Sequence, residues 1–448
     1  MLNYPYRAIT VPRLFGLGVM EGVALFDLLG SVAQDWVTGV IKSEVQSSSL
    51  DSLPGLLACE SLATWLRAIN LAPSALRQLL GLSAEIPVET PELVRFAQEL
   101  RENAIAECLL SERFIQRGFP ALDLDGQVLD WHRLLSTVLD PQGLVLAFDD
   151  AHAQATITEA AAAAVAPLNL AEADKARLKP QAVTLLLEAR AAQAALASTA
   201  LAKLFGSETA LVPGLLQWAA SSPYALLAAT FETAARQVAG LAPSAASTPY
   251  VELLYRLSRY AQVIAILQLS APALALFLAH PGWLDGDPLT VDLPLVVPTV
   301  YWLSRWRDLV NQSPLAEEKV LSYLMAANAV TPPEDCAARL AEVLDWDQTS
   351  VEALFADVGH PLRSLEELDW AMRMQKMTRE LRVPVSAVLT VRGATAALPR
   401  RDEYQPLARA LMASLGGEPD ERGEDSVPAP APASAQPASR GLVRAAAS

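Results

Sequence analysis

The segment Leu344-Asp345-Trp346-Asp347-Gln348-Thr349-Ser350-Val351 reads as a joint between two helices. Asp347 is a good N-cap, because its carboxylate can accept from a first-turn backbone N–H that has no partner inside the helix. Trp346 then precedes the cap and Val351 takes the fourth helical position. Such a pair is a hydrophobic staple, which fixes how the chain leaves one helix and enters the next. Upstream, Cys336, Leu340, Val343 and Leu344 lie at i, i+4, i+7 and i+8, the stripe of an amphipathic helix. The arrangement of apolar, any, apolar, cap and a further apolar residue recurs three times. The other copies are Ile69-Asn70-Leu71-Ala72 to Leu76, Leu267-Gln268-Leu269-Ser270 to Leu274, and Leu381-Arg382-Val383-Pro384 to Val388. Ser270 is a good cap; Ala72 and Pro384 are poor ones, which leaves more to the staple. The spacing is uneven, so the expected fold is irregularly stacked helical hairpins with insertions, an all-α shell-type architecture rather than a tandem solenoid.

Helix signals extend on both sides. Thr90-Pro91-Glu92 supplies a cap oxygen, a proline where no N–H is needed and an early carboxylate. Leu93, Phe96, Leu100, Ile105, Cys108 and Leu109 follow near one face, with Gly118 as the expected stop. Pro180 is expected to open a long helix that runs to Gly206. Thr331-Pro332-Pro333-Glu334 and Ser364-Leu365-Glu366-Glu367 both fit the capping box. Short strands are expected at Gly143 to Phe148 and around Val291 to Val300, although Pro294 and Pro298 argue against a central strand in the second. The chain divides into an N-terminal helical region at 1–120, a helical region with short strands at 121–210, a shell-like domain at 211–415 and a tail at 416–448. The tail is rich in Pro, Ala, Ser and charge and is expected to be disordered.

Composition narrows the function classes. Of 448 residues, 52% are hydrophobic but only 6% aromatic, a bias toward the Ala and Leu that favour helices. The net charge of −16 and the lack of a Lys/Arg cluster weigh against nucleic acid. Cys59, Cys108 and Cys336 are odd in number and far apart, so they read as buried small hydrophobes. The N-terminus does not read as a Sec signal, since Glu21 and Asp27 interrupt its apolar stretch. The uncharged run Ala261 to Ala279 is long enough to span a membrane. Ser270 and Pro272 within it read instead as a turn between two helices.

No group of residues reads as a catalytic, cofactor or metal site. There are four histidines, none near another in sequence, and no HExxH, CxxC or phosphate-loop element. Asp149-Asp150-Ala151-His152 comes nearest to a metal site, but Asp-Asp before a helix is a cap. Asp123-Leu124-Asp125-Gly126 has the look of a calcium loop, yet Ala121 and His132 fall where oxygen ligands are required. Gly16-Leu17-Gly18 with Gly22 misses the dinucleotide spacing by one residue. Trp302 and Trp306, with Arg305 and Arg307, could form a cation–π patch and more readily form a packed helix face. The Ala-rich stretch Ala189 to Ala202 reads as a surface for close helix packing.

From Val251 to Ala397 a longer pattern emerges. Leu253-Leu254-Tyr255-Arg256 leads through Tyr260-Ala261 to Leu267-Gln268-Leu269-Ser270. Then come Leu303-Ser304-Arg305-Trp306-Arg307-Asp308-Leu309-Val310, Glu318 to Leu324, Cys336-Ala337-Ala338-Arg339-Leu340-Ala341 and Val343 to Asp347. This series is similar to the helical shell of Tc insecticidal toxin A subunits, and Leu215-Gln217-Trp218-Ala219 is compatible with it. The resemblance implies a non-enzymatic shell component, a helical oligomer without cofactor that works with other Tc components. Those are a channel-bearing A-subunit part and a cocoon, with a host-cell receptor as a further partner. Such a subunit continues into neuraminidase-like, receptor-binding and pore regions, whereas this sequence enters its tail soon after Leu411. One form of the reading is therefore a split A subunit whose channel half is a separate polypeptide. The chain is expected to be released without a Sec signal, or to be cytoplasmic before release, and not to enter membranes by itself. The alternative is a helical scaffold or adaptor that shares only the packing style.

Overall fold

A computed structural model describes residues 12–37, 53–82, 87–238 and 248–393. The tail at 416–448 lies outside them. The described chain is helical throughout, and its only pairing between extended segments is two isolated antiparallel bridges, Leu122 with Val128 and Leu139 with Val145. In chain order the helices are α1 (Val19–Val37), α2 (Leu53–Ala68), α3 (Pro73–Leu79), α4 (Pro91–Ile105), α5 (Ser111–Gln116), α6 (Trp131–Leu134), α7 (Asp150–Val165), α8 (Glu172–Phe205) and α9 (Val212–Trp218). They continue with α10 (Pro223–Val238), α11 (Pro249–Leu267), α12 (Ala271–Ala279), α13 (Val297–Gln312), α14 (Glu317–Ala327), α15 (Cys336–Leu344), α16 (Gln348–Val358), α17 (Leu365–Leu381) and α18 (Val385–Gly393).

The four joints share one backbone geometry. Asn70, Gln268, Asp345 and Arg382, the unconstrained positions of the pattern, all adopt left-handed backbone at φ of 54°, 53°, 49° and 54°. In each, the next N–H reaches back five residues: Leu71 to Leu66 O, Leu269 to Ile264 O, Trp346 to Ala341 O and Val383 to Thr378 O, at 2.9 to 3.2 Å. This is the Schellman closure, which satisfies carbonyls the ending helix leaves free. Ser270 then caps Ala273 N and Asp347 caps Ser350 N, while Ala72 makes no side-chain cap bond. The second apolar residue and the one five further on both face the core, as Leu269 and Leu274 do at 4% and 0% exposed. A fifth copy joins α9 to α10: Ala220 has φ 49°, Ser221 N donates to Leu216 O, and Ser222 Oγ accepts from Ala225 N.

Several boundaries differ from the sequence reading. Pro180 does not open its helix. α8 starts at Glu172 and carries Pro180 internally, ending at Gly206 in left-handed backbone. An interior proline costs about 3 kcal/mol. The burial of Leu178, Ala182, Leu185 and Leu186 against α7 is set against that cost. α4 keeps its Thr90 cap but ends at Ile105, and Gly118 closes the separate short α5. The Thr331 capping box does not form: Pro332 precedes Pro333, and a residue before proline is biased away from helical backbone, so α15 begins five residues later, at Cys336. The Ser364–Glu367 box forms in full. Residues 297–300 are helical, with Pro298 in the first turn of α13, where a missing N–H loses nothing. Of the strand expected at Gly143 to Phe148, only the Val145 bridge forms. The 261–279 run is two helices bent by 116° at Ser270, and no single helix among the described residues is long and apolar enough to cross a membrane.

Two cores result. A small one lies between 109 and 189, where Phe114, Phe119 and Trp131 pack edge-on and stacked beside the α7–α8 hairpin. A large one collects the apolar faces of α1 to α4, the second half of α8 and α9 to α18. α8 therefore runs through both cores, and its Ala189 to Ala202 stretch crosses the boundary between them.

Candidate functional site

The groups that the sequence offers for chemistry are engaged structurally. Asp149 caps α7, accepting from Ala151 N, and its other oxygen lies 2.9 Å from His152 Nδ1. Asp150 pairs with Arg190. Asp123 Oδ1 accepts from the N–H groups of Asp125 and Gln127, which folds a tight hairpin pinned by Asn169 on Asp125. Trp306 is 1% exposed, stands edge-on to Phe277 at 5.4 Å and donates to Glu317 Oε1. Trp302 packs edge-on to Tyr301. Arg307 donates to Ile266 O near the C-terminal end of α11. The three cysteines are buried and free, and burial pushes the Cys59 and Cys108 thiols up to about 11, far from nucleophilic thiolates.

The strongest electrostatic feature joins α13 to α17. Asp369, 1% exposed, contacts Arg305 Nε and has Arg373 Nε 2.9 Å from its second oxygen, while Arg305 also reaches Asp308 at 2.7 Å. Burial works against the Arg305 charge, yet Asp369 beside it more than compensates and holds its pKa above the ordinary value. Nearby, Trp65 Nε1 donates to Ser304 Oγ at 2.8 Å and ties α2 to the same helix. These pairs hold α13 and α17 in register, although the Asp369 oxygen facing Arg373 makes no hydrogen bond.

One concavity stands out, a cleft of about 690 Å³ at the boundary between the two cores. One wall is the extended strip 145–149, the second is α8 with Leu187, Arg190, Gln193 and Ser198, and the third is the joint of α9 to α10 with Gln217, Ser221 and Tyr224. Gln193, 3% exposed, spans its base: Oε1 accepts from Val145 N and Nε2 donates to Glu107 O, both at 3.0 Å. Arg190 donates to Phe148 O at 3.3 Å. Burial raises the Tyr224 hydroxyl pKa, with Asp140 adding to it. Sequence reasoning missed this cleft. Its one visible signal is that Arg190, Gln193 and Ser198 interrupt an otherwise Ala-rich helix.

The described chain is an unevenly jointed helical stack without a repeat period, and among the described residues no group of three or more His, Cys, Asp or Glu could hold a metal ion. In the comparisons, the chain is similar to Tc toxin A subunits. It is 28% identical over 393 residues to toxin subunit YenA1 of Yersinia entomophaga, a match that takes in 84% of this chain. The chain spans 32% of that relative's length. A cryo-EM structure of Morganella morganii TcdA4 aligns over 92% of this chain and 13% of its own, at 15% identity and a TM-score of 0.45. No family model matches. The resemblance read from Val251 to Ala397 is thus borne out and extends well beyond those residues. The relative is a toxin subunit, which agrees with the expectation that this chain is not an enzyme.

Proposed function

We propose that this chain is a non-enzymatic shell component of a Tc-like toxin A subunit. In this reading it assembles with a channel-bearing A-subunit part and cocoon components, and acts in delivery rather than in chemistry. The observation that carries the reading is the similarity to a toxin subunit over 84% of the chain. The helical stack is consistent with it, because its functional groups are spent on caps, ion pairs and helix joints. Contact with a host-cell receptor falls to the assembled toxin. The chain adds no channel of its own: its most apolar helix pair is sharply bent at a capped joint, with Val263, Ile264, Leu267, Leu274 and Phe277 already buried.

The test is assembly and leakage. The chain is purified with and without a co-expressed channel-bearing Tc A-subunit chain, and dye release from liposomes is followed from acid to alkaline pH. A stable complex, with leakage only when the channel-bearing chain is present, is expected. Leakage by this chain alone, or failure to associate, overturns the reading.

A further inference from the structure

We propose that the cleft between the two cores receives an extended peptide segment of another polypeptide, bound through its backbone, with a basic side chain toward Asp149. The inference is independent of the toxin reading, since it rests on unsatisfied hydrogen-bonding groups in this chain alone.

The strip carries the argument. The bridge between Leu139 and Val145 is flanked by bonds from Asp140 N to Leu144 O and from Leu146 N to Val138 O, at 2.9 and 3.0 Å. Leu139 and Val145 are therefore a non-hydrogen-bonded pair, and the N–H and C=O of Val145 turn away from the neighbouring strip. Its N–H is taken by Gln193 Oε1, so a side-chain amide stands where the next strand's backbone would be. Its C=O, on a residue 2% exposed, accepts from no donor among the described residues. A second wall presents a group in the same condition. Ser221 Oγ, at the joint of α9 to α10, is buried without a partner among the described residues, while Ser198 lines the α8 wall.

Buried polar groups are rarely left this way, so two facing one cavity point to something that fills it. A carbonyl requires a donor and a hydroxyl takes either role. An extended peptide offers N–H and C=O groups in alternation at the spacing of a strand, which is how segments add to sheet edges elsewhere. The charge at the mouth selects among peptides. Asp149 and Asp150 line it against the single guanidinium of Arg190, which is already committed to Asp150 and to Phe148 O. Among the described residues, Asp149 has His152 as its one side-chain partner. A lysine or arginine at that end complements the surplus carboxylate.

The probe is the capped peptide acetyl-Lys-Val-Thr-Val-Thr-amide, titrated into the full chain to millimolar concentration and followed by amide NMR shifts. Shifts are expected at Val145, Ala147, Ser198 and Ser221. Its backbone N-methylated analogue should bind about tenfold or more weakly, and replacing its lysine by alanine should weaken the wild type but not Asp149→Asn. Ser198→Leu should fill the cleft and abolish the shifts; if it does not fold, Ser221→Val is read the same way, and the N-methyl comparison needs no variant. Three outcomes overturn the proposal: no shifts at millimolar peptide, equal binding by the N-methylated analogue, or unchanged binding in a folded cleft-filling variant. Absence of binding together with ordered waters on Val145 O, Ser198 and Ser221 in a crystal would assign the cleft to solvent.

Discussion

Replacing Ala220 by glycine should stabilise the protein. Ala220 is exposed, sits at φ 49° between α9 and α10, and makes its closure through backbone alone. An L-residue held in left-handed backbone costs about 1–2 kcal/mol, because its Cβ crowds the following carbonyl. Glycine removes that crowding but brings about 0.5–1 kcal/mol of extra unfolded-state freedom. Ala220→Gly should therefore raise stability by about 0.75 kcal/mol, the difference between the midpoints of those two ranges. Asn70 occupies the equivalent place at φ 54°, and asparagine tolerates this region better, so Asn70→Gly should gain less. Ala197→Gly, at a 0% exposed position inside α8, should lose about 1–2 kcal/mol through helix propensity and a lost buried methyl. Urea unfolding of the three variants beside the wild type measures all of this. A lowered midpoint for Ala220→Gly, or a larger gain for Asn70→Gly, would refute the claim that the joints are one strained geometry.

Asp369→Ala should lose about 3 kcal/mol, the lower end for a broken buried ion pair because Arg373 remains largely exposed, while Asp369→Asn should lose less; denaturant midpoints decide. Gln193→Ala should lose about 2–3 kcal/mol by orphaning the Val145 N–H and the Glu107 C=O, and hydrogen exchange at Val145 should rise; unchanged exchange there would show that the amide does not close the strip. Burial, with Asp285 and Glu367 adding to it, raises the Glu366 carboxyl above the ordinary range. A raised carboxyl favours the fold below its unfolded pKa, and that contribution is lost as pH rises through its folded pKa. Glu366→Gln should accordingly gain on the wild type as pH rises above the ordinary glutamate value of about 4.3, and a pH-independent difference counts against this.

Why the joints could be read from sequence and the cleft could not follows from how far each lies along the chain. A staple and a cap act over eight residues, so Leu344 to Val351 contains all the information its geometry requires, and the same logic located Ser270 and the Ser364–Glu367 box. The one detail missed was the backbone strain, because glycine is its usual marker and Asn70, Ala220, Gln268, Asp345 and Arg382 are not glycine. Helix starts failed where a distant surface overruled local chemistry. Pro180 looks like a first-turn residue, yet the chain before it already has α7 to pack against, and burial of Leu178 outweighs a lost hydrogen bond. Thr331 failed for a local reason that was legible: of two consecutive prolines, the second biases the first away from helical backbone, so no helix starts there. The cleft lies beyond this reach, because Val145, Gln193 and Ser221 are apart in sequence and only the two-core arrangement brings them together. A glutamine in an alanine-rich helix looks like a solvated residue until Glu107 and Val145 are known to stand on either side of it. For this chain, then, patterns of a few residues determine how each helix meets the next, while the places where another molecule could bind arise at boundaries between cores, where no short pattern reports on them.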